Sequence, residues 1–295
     1  MQSRLYRNTP GSRVFDTVIL ALLTCYALVT LYPLIYTLVV SFSRADTPNT
    51  NFFLWPMRPH LMGYVSALRT QGLPRAYLNT ILYASSGTLV TLTFTMLTAY
   101  PMSIDNFPFR KFFMLMITFT MLFSGGLIQS YLLIKNLGIM DSIWALILPG
   151  AVSAWNIIVV RTYLKSNIPK ELTEAAVIDG AGHWSILLRI IMPLAKPILA
   201  VIALFTAVGQ WNSYFAPMIY LNNRNKWPLA LLLREYLAAH MNIWDDRIDP
   251  TWATVISDQT LRAATLIISI IPIMCVYPFL QRYFTKGILL GSLKG

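Results

Sequence analysis

The sequence predicts an all-α membrane protein with six transmembrane helices. Apolar residues make up 56% of the 295 residues and charged residues only 12%, about half the roughly 25% charged share of a soluble domain. Six apolar runs reach the length of about 20 residues that a helix needs to cross a hydrocarbon core about 30 Å thick. A soluble chain of this composition would expose large apolar patches and aggregate, so lipid is the expected solvent.

The predicted spans must be helices, because each unpaired backbone group in lipid costs several kcal/mol. They cover residues 14–40, 80–104, 112–134, 143–164, 197–221 and 261–280. Prolines at positions 33, 149, 217 and 272 are expected to kink or end them. The spans form one predicted domain, residues 1–295, and its longest connections are the loops 41–78, 165–196 and 222–260.

The orientation follows from the first run and from the basic residues. The run is longer than the core of about 7–15 residues in a cleaved signal peptide, so we interpret it as a retained span with its N-terminus in the cytoplasm. With six spans both termini then lie in the cytoplasm. Basic residues occur in the predicted inner segments, although the outer loops also carry arginines, several beside acids. The positive-inside rule therefore supports this orientation without deciding it.

The sequence lacks the motifs that are typical of several other function classes. The net charge of +11 comes from residues in short segments between apolar runs, which suits anionic lipid headgroups better than nucleic acid. Cys25 and Cys275 lie inside apolar runs and offer no disulfide or zinc spacing. The histidines at 60, 183 and 240 are isolated in predicted loops, so no metal site is predicted. Phosphate-loop and common hydrolase motifs are missing, which predicts a protein that is not an enzyme.

The predicted inner loop 165–196 contains the start of a helix. Pro169 suits the first helical position, where its missing N–H costs nothing. Glu171 and Glu174 complement the positive end of that helix. Since Ala175 and Ala176 are small, a partner could approach this helix closely and place an arginine on the acidic side chain beside them.

The same loop contains a turn and a second short helix. Gly180 and Gly182 can adopt the left-handed conformation that ends a helix. The second helix is predicted from residue 184 to residue 191, stopped by Pro193. A helix resting on headgroups is the alternative to docking. Such helices favour Lys and Arg with Trp or Phe, whereas the first helix begins with acids, which favours docking.

A family signature runs through this loop. It consists of Glu174, Ala175, Ala176, Gly180, Ile190 and Pro193. Their spacing resembles the EAA---G---------I-LP signature of bacterial ABC-importer permeases, with Met192 where leucine is usual. The whole chain is similar to the maltose-type carbohydrate permeases. Further similar runs are Leu78-Asn79-Thr80, Trp211-Asn212-Ser213-Tyr214 and the tail 281–295.

The resemblance implies a type I ABC-importer transmembrane-domain fold with a cytoplasmic coupling helix. In that family the helix sits in a cleft of an ATPase subunit, where its acidic residue faces a basic one. The implied coupling residues are Glu174, Ala175, Ala176, Asp179, Gly180 and Pro193. ATP and Mg²⁺ belong to the partner ATPase dimer, so no cofactor is expected in this chain. The other implied partners are a second homologous permease and a periplasmic or lipid-anchored solute-binding protein.

Polar and aromatic residues in the fifth span form a candidate substrate path. Polar groups inside spans are costly and often functional, and sugars need both amides and aromatic faces. The candidates are Gln210, Trp211, Asn212 and Tyr214. Hydrogen bonding between helices is the alternative role for the amides.

The predicted outer loop 222–260 contains an apolar helical stretch that begins near Trp227. The resemblance implies that this loop reaches a binding protein, and the predicted contacts are Trp227, Arg234 and Tyr236. Packing on the outer membrane face is the alternative for this stretch. The predicted cargo is an oligosaccharide, with an acidic one such as alginate as a more specific hypothesis.

A secondary transporter driven by an ion gradient is the competing functional hypothesis. Such proteins usually have more spans, inverted repeats and intramembrane carboxylates. No Asp or Glu lies in the middle of a predicted span here, since Asp16 lies at an end. The sequence therefore favours an ATP-driven importer.

Overall fold

The computed structural model describes residues 10–44, 55, 59–69, 72–238 and 257–292, and within these ranges it describes the side chains of residues 12–236 and 257–275. Parts of both predicted outer loops, His240 and the end of the C-terminal tail lie outside these ranges. The described chain is helical and has no strands, which confirms the all-α prediction.

The described helices follow one another along the chain. They are α1 (Pro10–Phe42), α2 (Met62–Arg69), α3 (Leu73–Ser103), α4 (Arg110–Leu122), α5 (Gly126–Asn136), α6 (Ile143–Ile147), α7 (Ala154–Asn167), α8 (Lys170–Ile178), α9 (His183–Ile186), α10 (Met192–Leu194), α11 (Lys196–Trp211), α12 (Phe215–Tyr220), α13 (Leu229–Ala238) and α14 (Asp258–Ser292). A π-helical turn, Leu187–Ile191, joins α9 to α10.

Three described segments are long and apolar enough to cross a membrane, namely Ser12–Phe42, Leu73–Ser103 and Asp258–Cys275. The number rises to six if each of three bent helix pairs is one span. Those pairs bend by 113° between α4 and α5, by 51° between Ile143–Gly150 and α7, and by 78° between His183–Leu194 and α11.

The helices depart from the predicted span limits at specific residues. The second span was expected from residue 80, but α3 begins at Leu73, directly after Gly72, whose φ is +90°. Its first turn is retained because Leu73 and Ala76 are buried. The third predicted span is interrupted at Phe123–Gly125 before Gly126, whose φ is +82°, a backbone conformation that favours glycine.

The fifth predicted span is interrupted as well. Helix α11 ends at Trp211 and α12 begins only at Phe215. Pro217 has no N–H and its ring clashes with a helical carbonyl four residues earlier, at Ser213. Asn212 also favours turns over helix interiors, so the chain leaves the helix at residues 212–214.

Two groups of helices can be described separately. In the first, the end of α1 packs on α2, where Ser41 Oγ lies 2.6 Å from Tyr64 Oη. Thr260, at the start of α14, donates to the carbonyl of Ser43 at 2.9 Å. The 18-residue apolar window of α1 is exposed within the chain, as expected of a helix that contacts lipid or another subunit.

The second group is built around α3, which packs against α7 and α11. One apolar core joins α3, α7 and the segment 168–202, and a second joins α3, α5, α6 and α12. The first core supports the predicted coupling residues. The second lies beside residues 222–238, which include the predicted binding-protein contacts.

Candidate functional site

Helix α8 carries the predicted coupling residues Glu174, Ala175 and Ala176, and Asp179 and Gly180 follow directly after it. It begins at Lys170, so Pro169 is the residue before the helix, with φ −60° and ψ 134°, and not its first position as predicted. The extended backbone of Pro169 separates α7 from α8. Glu171 lies in the first turn, where a carboxylate is favoured by the helix dipole.

A glycine turn ends α8. The N–H of Ala181 donates to the carbonyl of Ala176 at 2.9 Å, and that of Gly180 to the carbonyl of Val177 at 3.0 Å. This pair of bonds defines a Schellman motif, which needs a left-handed residue. Gly180 supplies it with φ +76°. Gly182 was predicted as a second left-handed residue, but its φ is −70° and it precedes α9.

The buried side of this segment fixes it to the first core. Ala176 is 8% exposed and packs with Ile186, Leu187 and Ile191 of the following helical segment. The same cluster contains residues of α3 and α7. Because close-packed side chains transmit strain, a displacement of α8 is expected to be passed to these helices.

The opposite side of the segment is exposed, and it is the predicted docking face. Glu174, Ala175 and Asp179 are exposed, and neither carboxylate makes a hydrogen bond or ion pair within the described residues. Ile178 is 86% exposed and Trp184 is 67% exposed beside them. Exposed apolar groups around a carboxylate form the kind of surface that a protein partner covers.

Pro193 does not stop the second helix, contrary to the prediction. The helical segment continues from His183 to Leu194, and the break of 78° follows at Ala195. The N–H of Met192 bonds to the carbonyl of Leu187, five residues earlier. This wider turn accommodates a proline that lacks an N–H.

Asp105 anchors the start of α8, and sequence reasoning missed it. It lies between α3 and α4, and its Oδ1 accepts bonds from Lys165 Nζ at 2.7 Å and Arg110 at 2.9 Å. Its Oδ2 accepts a bond from Lys170. The available signal was one acid in a short connection on the predicted inner side, together with a second predicted inner loop that carries several lysines.

These bonds keep Asp105 ionised. Hydrogen bonds from Lys165, Lys170 and Arg110 hold the pKa of its carboxyl well below the usual range, and the bond to Asp105 raises the pKa of the Lys170 ammonium. A carboxyl with a depressed pKa stabilises the fold above its unfolded pKa of about 3.9 and loses that contribution as pH falls through its folded value. The cluster therefore persists at neutral and mildly acidic pH.

The predicted substrate-path residues lie around the break between α11 and α12. Asn212 and Tyr214 are exposed there. Gln210 packs against α3, where a Cβ added to Gly87 would lie 3.1 Å from Gln210 Nε2. Trp211 stacks edge-on with Tyr77, at 5.7 Å between ring centroids. Thus Asn212 and Tyr214 present open faces, while Gln210 and Trp211 contact α3.

Residues 222–229, at the other end of the core helices, are held by polar contacts with α3, of which the bond to Thr80 is buried. Asn79 donates to the carbonyls of Asn225 at 2.8 Å and Trp227 at 3.1 Å. The N–H of Leu229 donates to the buried Thr80 Oγ1 at 2.7 Å. Asn79 and Thr80 had been singled out only for their family resemblance, and the structure places them against this loop.

Asp141 holds the same loop from another side. Its carboxylate accepts bonds from Lys226 Nζ at 2.6 Å and from the backbone N–H groups of Asn223 at 3.0 Å and Asn222 at 3.1 Å. The bond from Lys226 is the largest cause of the lowered pKa of Asp141. The loop is therefore preorganised at neutral pH.

The predicted binding-protein contacts extend from this anchored loop. Trp227 lies below the Arg224 guanidinium, 5.6 Å from its ring centroid. Arg234 lies 5.4 Å from the ring centroid of Tyr214, so the structure joins a predicted binding-protein contact to the predicted path. Tyr236 lies half-buried on the same helix, α13.

Comparison with known proteins identifies this architecture. A model of the binding-protein-dependent transport system inner membrane component family matches residues 1–290. The chain belongs to this family. As a family member it is a membrane transport subunit of systems that use a binding protein.

Individual relatives cover nearly the whole length. Protein LplC of Bacillus subtilis (strain 168) is 37% identical over 98% of this chain and 97% of its own. The polygalacturonan/rhamnogalacturonan transport system permease protein YtcP of the same organism is 36% identical over 96% of this chain and 99% of its own. One chain in the crystal structure of a bacterial ABC transporter involved in the import of the acidic polysaccharide alginate matches with a TM-score of 0.88 and 33% identity, over 94% of this chain and 99% of that one.

These findings confirm the resemblance to ABC-importer permeases and the corresponding fold. They also place the protein among inner-membrane components. The ion-gradient-driven alternative finds no support, because the family works with binding proteins and the structural relative belongs to an ABC transporter.

Proposed function

We propose that this chain is a permease subunit of an ATP-driven oligosaccharide importer. It receives the sugar from an external binding protein and, paired with a second homologous permease, passes it into the cytoplasm. ATP and Mg²⁺ bind to a partner ATPase dimer that docks on α8. The observation that carries this proposal is the exposed Glu174, displayed on a helix whose opposite side is fixed to α3 and α7.

The geometry of α8 suits the transmission of force. An exposed carboxylate surrounded by apolar side chains can form a charge-assisted hydrogen bond with a basic residue of the ATPase once water is excluded. Burial of Ile178 and Trp184 would supply the apolar part of that contact. Since Ala176 is packed in the first core, movement of the ATPase would be passed to the spanning helices.

The orientation is part of the proposal. If α8 contacts a cytoplasmic ATPase, the Asp105 turn and the basic residues Lys165 and Lys170 lie on the inner side. The loop held by Asp141 then lies outside, where a periplasmic or lipid-anchored binding protein can reach it. Both termini are cytoplasmic in this arrangement, and the basic inner loop agrees with the positive-inside rule.

Copurification from the native membrane tests this function. The tagged chain is expected to bring down a second permease and an ATPase dimer, and the purified complex in proteoliposomes should take up oligosaccharide only with ATP and binding protein present. A matched complex with an ATPase unable to hydrolyse ATP serves as the control. Transport by the isolated chain under an ion gradient would contradict the proposal.

The proposed substrate path runs along the break between α11 and α12. Backbone and side-chain polar groups at Asn212 and Ser213 can replace part of the water that a sugar loses in the membrane. Tyr214 adds an exposed ring face on which a sugar can stack. Gln210 and Trp211, which contact α3, would then act mainly by keeping this break in place.

The external contact is proposed for residues 222–238. Their anchors on Asn79, Thr80 and Asp141 hold the loop in one conformation, which lowers the entropy lost when a partner binds. The proposed contacts are Trp227, Arg234 and Tyr236.

Replacing Asp141 with asparagine tests the external contact. We expect stimulation of ATP hydrolysis by liganded binding protein to fall about threefold or more, because Lys226 would lose its charge partner and the loop its preorganisation. Hydrolysis without binding protein is expected to stay near the wild-type rate. Lys135→Gln, a charge change on α5, is the control and should retain full stimulation. Normal stimulation in Asp141→Asn would mean that this anchor is not needed for the contact.

An acidic oligosaccharide is the more specific proposal for the cargo. Arg234 is exposed, lies over Tyr214 and makes no ion pair within the described part of the chain. A guanidinium beside an aromatic face can bind both the carboxylate and the ring of a uronic acid. The importer of the acidic polysaccharide alginate, similar in fold and in sequence, points to the same class of cargo.

A further inference from the structure

Lys170 has two possible carboxylate partners and contacts only one of them. It lies four residues before Glu174 on α8, and side chains at this spacing are neighbours on a helix surface. Yet the Lys170 ammonium bonds to Asp105. Glu174 makes no hydrogen bond or ion pair among the described residues and stays available to a partner.

Asp105 is arranged to hold Lys170 in this position. Its Oδ1 is occupied by Lys165 and Arg110, which leaves Oδ2 for Lys170. Arg110 also donates to the carbonyl of Ile104 at 3.1 Å, so the turn that carries Asp105 is itself fixed. Just before this turn, at the end of α3, Arg161 donates to the carbonyl of Met102 at 2.9 Å.

We propose that Asp105 is a positioning residue that keeps Lys170 away from Glu174, so that Glu174 is free to bind a basic residue of the ATPase. The inference rests on the proposed function, because it assigns Glu174 to ATPase docking. Without Asp105, the ammonium of Lys170 turns toward Glu174 and competes with the ATPase for the same carboxylate. Asp105 itself acts through Lys170 and does not have to touch the ATPase.

Removal of Asp105 would have a second electrostatic consequence. Arg110, Lys165 and Lys170 would be left close together without their shared carboxylate. Because like charges repel, Lys170 would be driven from this site toward Glu174. Replacing Lys170 as well should cancel the competition, whereas replacing another nearby cation should not.

Carbodiimide cross-linking directly tests which carboxylate Lys170 contacts. The reagent joins a carboxylate to a neighbouring amine as an amide. In the purified wild-type complex we expect mass spectrometry to find Lys170 linked to Asp105. In Asp105→Asn we expect a Lys170–Glu174 link instead. This readout does not depend on the ATPase, so it remains valid if the docking proposal fails. No Lys170–Glu174 link in Asp105→Asn would overturn the inference.

Substrate-stimulated ATP hydrolysis tests whether the position of Lys170 affects docking of the ATPase. We expect Asp105→Asn to reduce substrate-stimulated hydrolysis about threefold or more, because Lys170 would compete with the ATPase for Glu174. Asp105→Glu is expected to stay near wild type. Adding Lys170→Gln to Asp105→Asn should restore activity. Adding Lys111→Gln, an exposed cation next to Arg110, removes the same charge and should not restore it.

The remaining outcomes separate the two proposals. Equal rescue by both double variants would indicate a net-charge effect, and no rescue by either would indicate a purely structural role; both results overturn the inference. Full activity in Glu174→Gln would overturn the docking role of Glu174 and the functional part of this inference with it. The cross-linking result would still report on the position of Lys170.

Discussion

Replacing Glu174 with lysine is expected to abolish substrate-stimulated ATP hydrolysis and uptake. The side chain is exposed on the docking face of α8, where the proposed partner presents a basic residue. Charge reversal would place like charges against each other, at a cost of several kcal/mol, and each 1.4 kcal/mol or so corresponds to about tenfold in affinity. The expected loss is therefore about a hundredfold or more, measured in reconstituted complexes.

The Glu174→Lys variant should still insert and fold, because Glu174 makes no hydrogen bond or ion pair within the described residues. Membrane content and thermal stability of the purified permease pair are the controls. Glu174→Gln keeps the shape and removes the charge, so it should lose less activity than the lysine variant. Wild-type stimulation in Glu174→Lys would refute docking through this residue.

Replacing Gly180 with proline is expected to have the second largest effect. Proline is restricted to φ near −65°, whereas Gly180 has φ +76°. The change also removes the N–H that bonds to the carbonyl of Val177, and it disfavours the near-helical backbone of Asp179 that precedes it. We expect the turn after α8 to open and stimulated hydrolysis to fall about tenfold or more.

Two further variants separate backbone conformation from side-chain size. Gly182→Ala should be close to wild type, because Gly182 has negative φ and an added Cβ would meet no atom within 4 Å. Gly180→Asn should keep more activity than Gly180→Pro, since asparagine tolerates the left-handed region. An added Cβ at Gly180 also meets open space, so equal losses in both Gly180 variants would contradict the conformational explanation.

Local chemistry explains why the helix–turn–helix could be predicted. Few backbone conformations end a helix with a left-handed residue, and glycine is the residue best suited to them. Gly180 was therefore predicted correctly as the left-handed residue that ends α8. Gly182 was not, because glycine is equally free to adopt negative φ. Pro193 misled the prediction for a similar reason, since a preceding π-helical turn removed the conflict that proline normally creates.

The sequence by itself determined that the chain is a helical membrane protein and that it resembles ABC-importer permeases. These depend on the length of apolar runs and on residues close together in the chain, for which lipid and backbone hydrogen bonding allow few alternatives. The exposed carboxylate on α8 was predictable for the same reason, because its helix and turn are encoded by neighbouring residues.

Only the tertiary structure decided which polar groups meet across the fold. Asp105 and Lys170 are separated by 65 residues, and Asp141 and Lys226 by 85, so no local pattern relates them. Their pairing depends on how α3, α7 and the connecting turns pack, which is a sum of many weak contacts. The same packing placed Gln210 against Gly87 and Arg234 over Tyr214. Gln210 and Tyr214 therefore have different neighbours, although they belong to one polar stretch of the sequence.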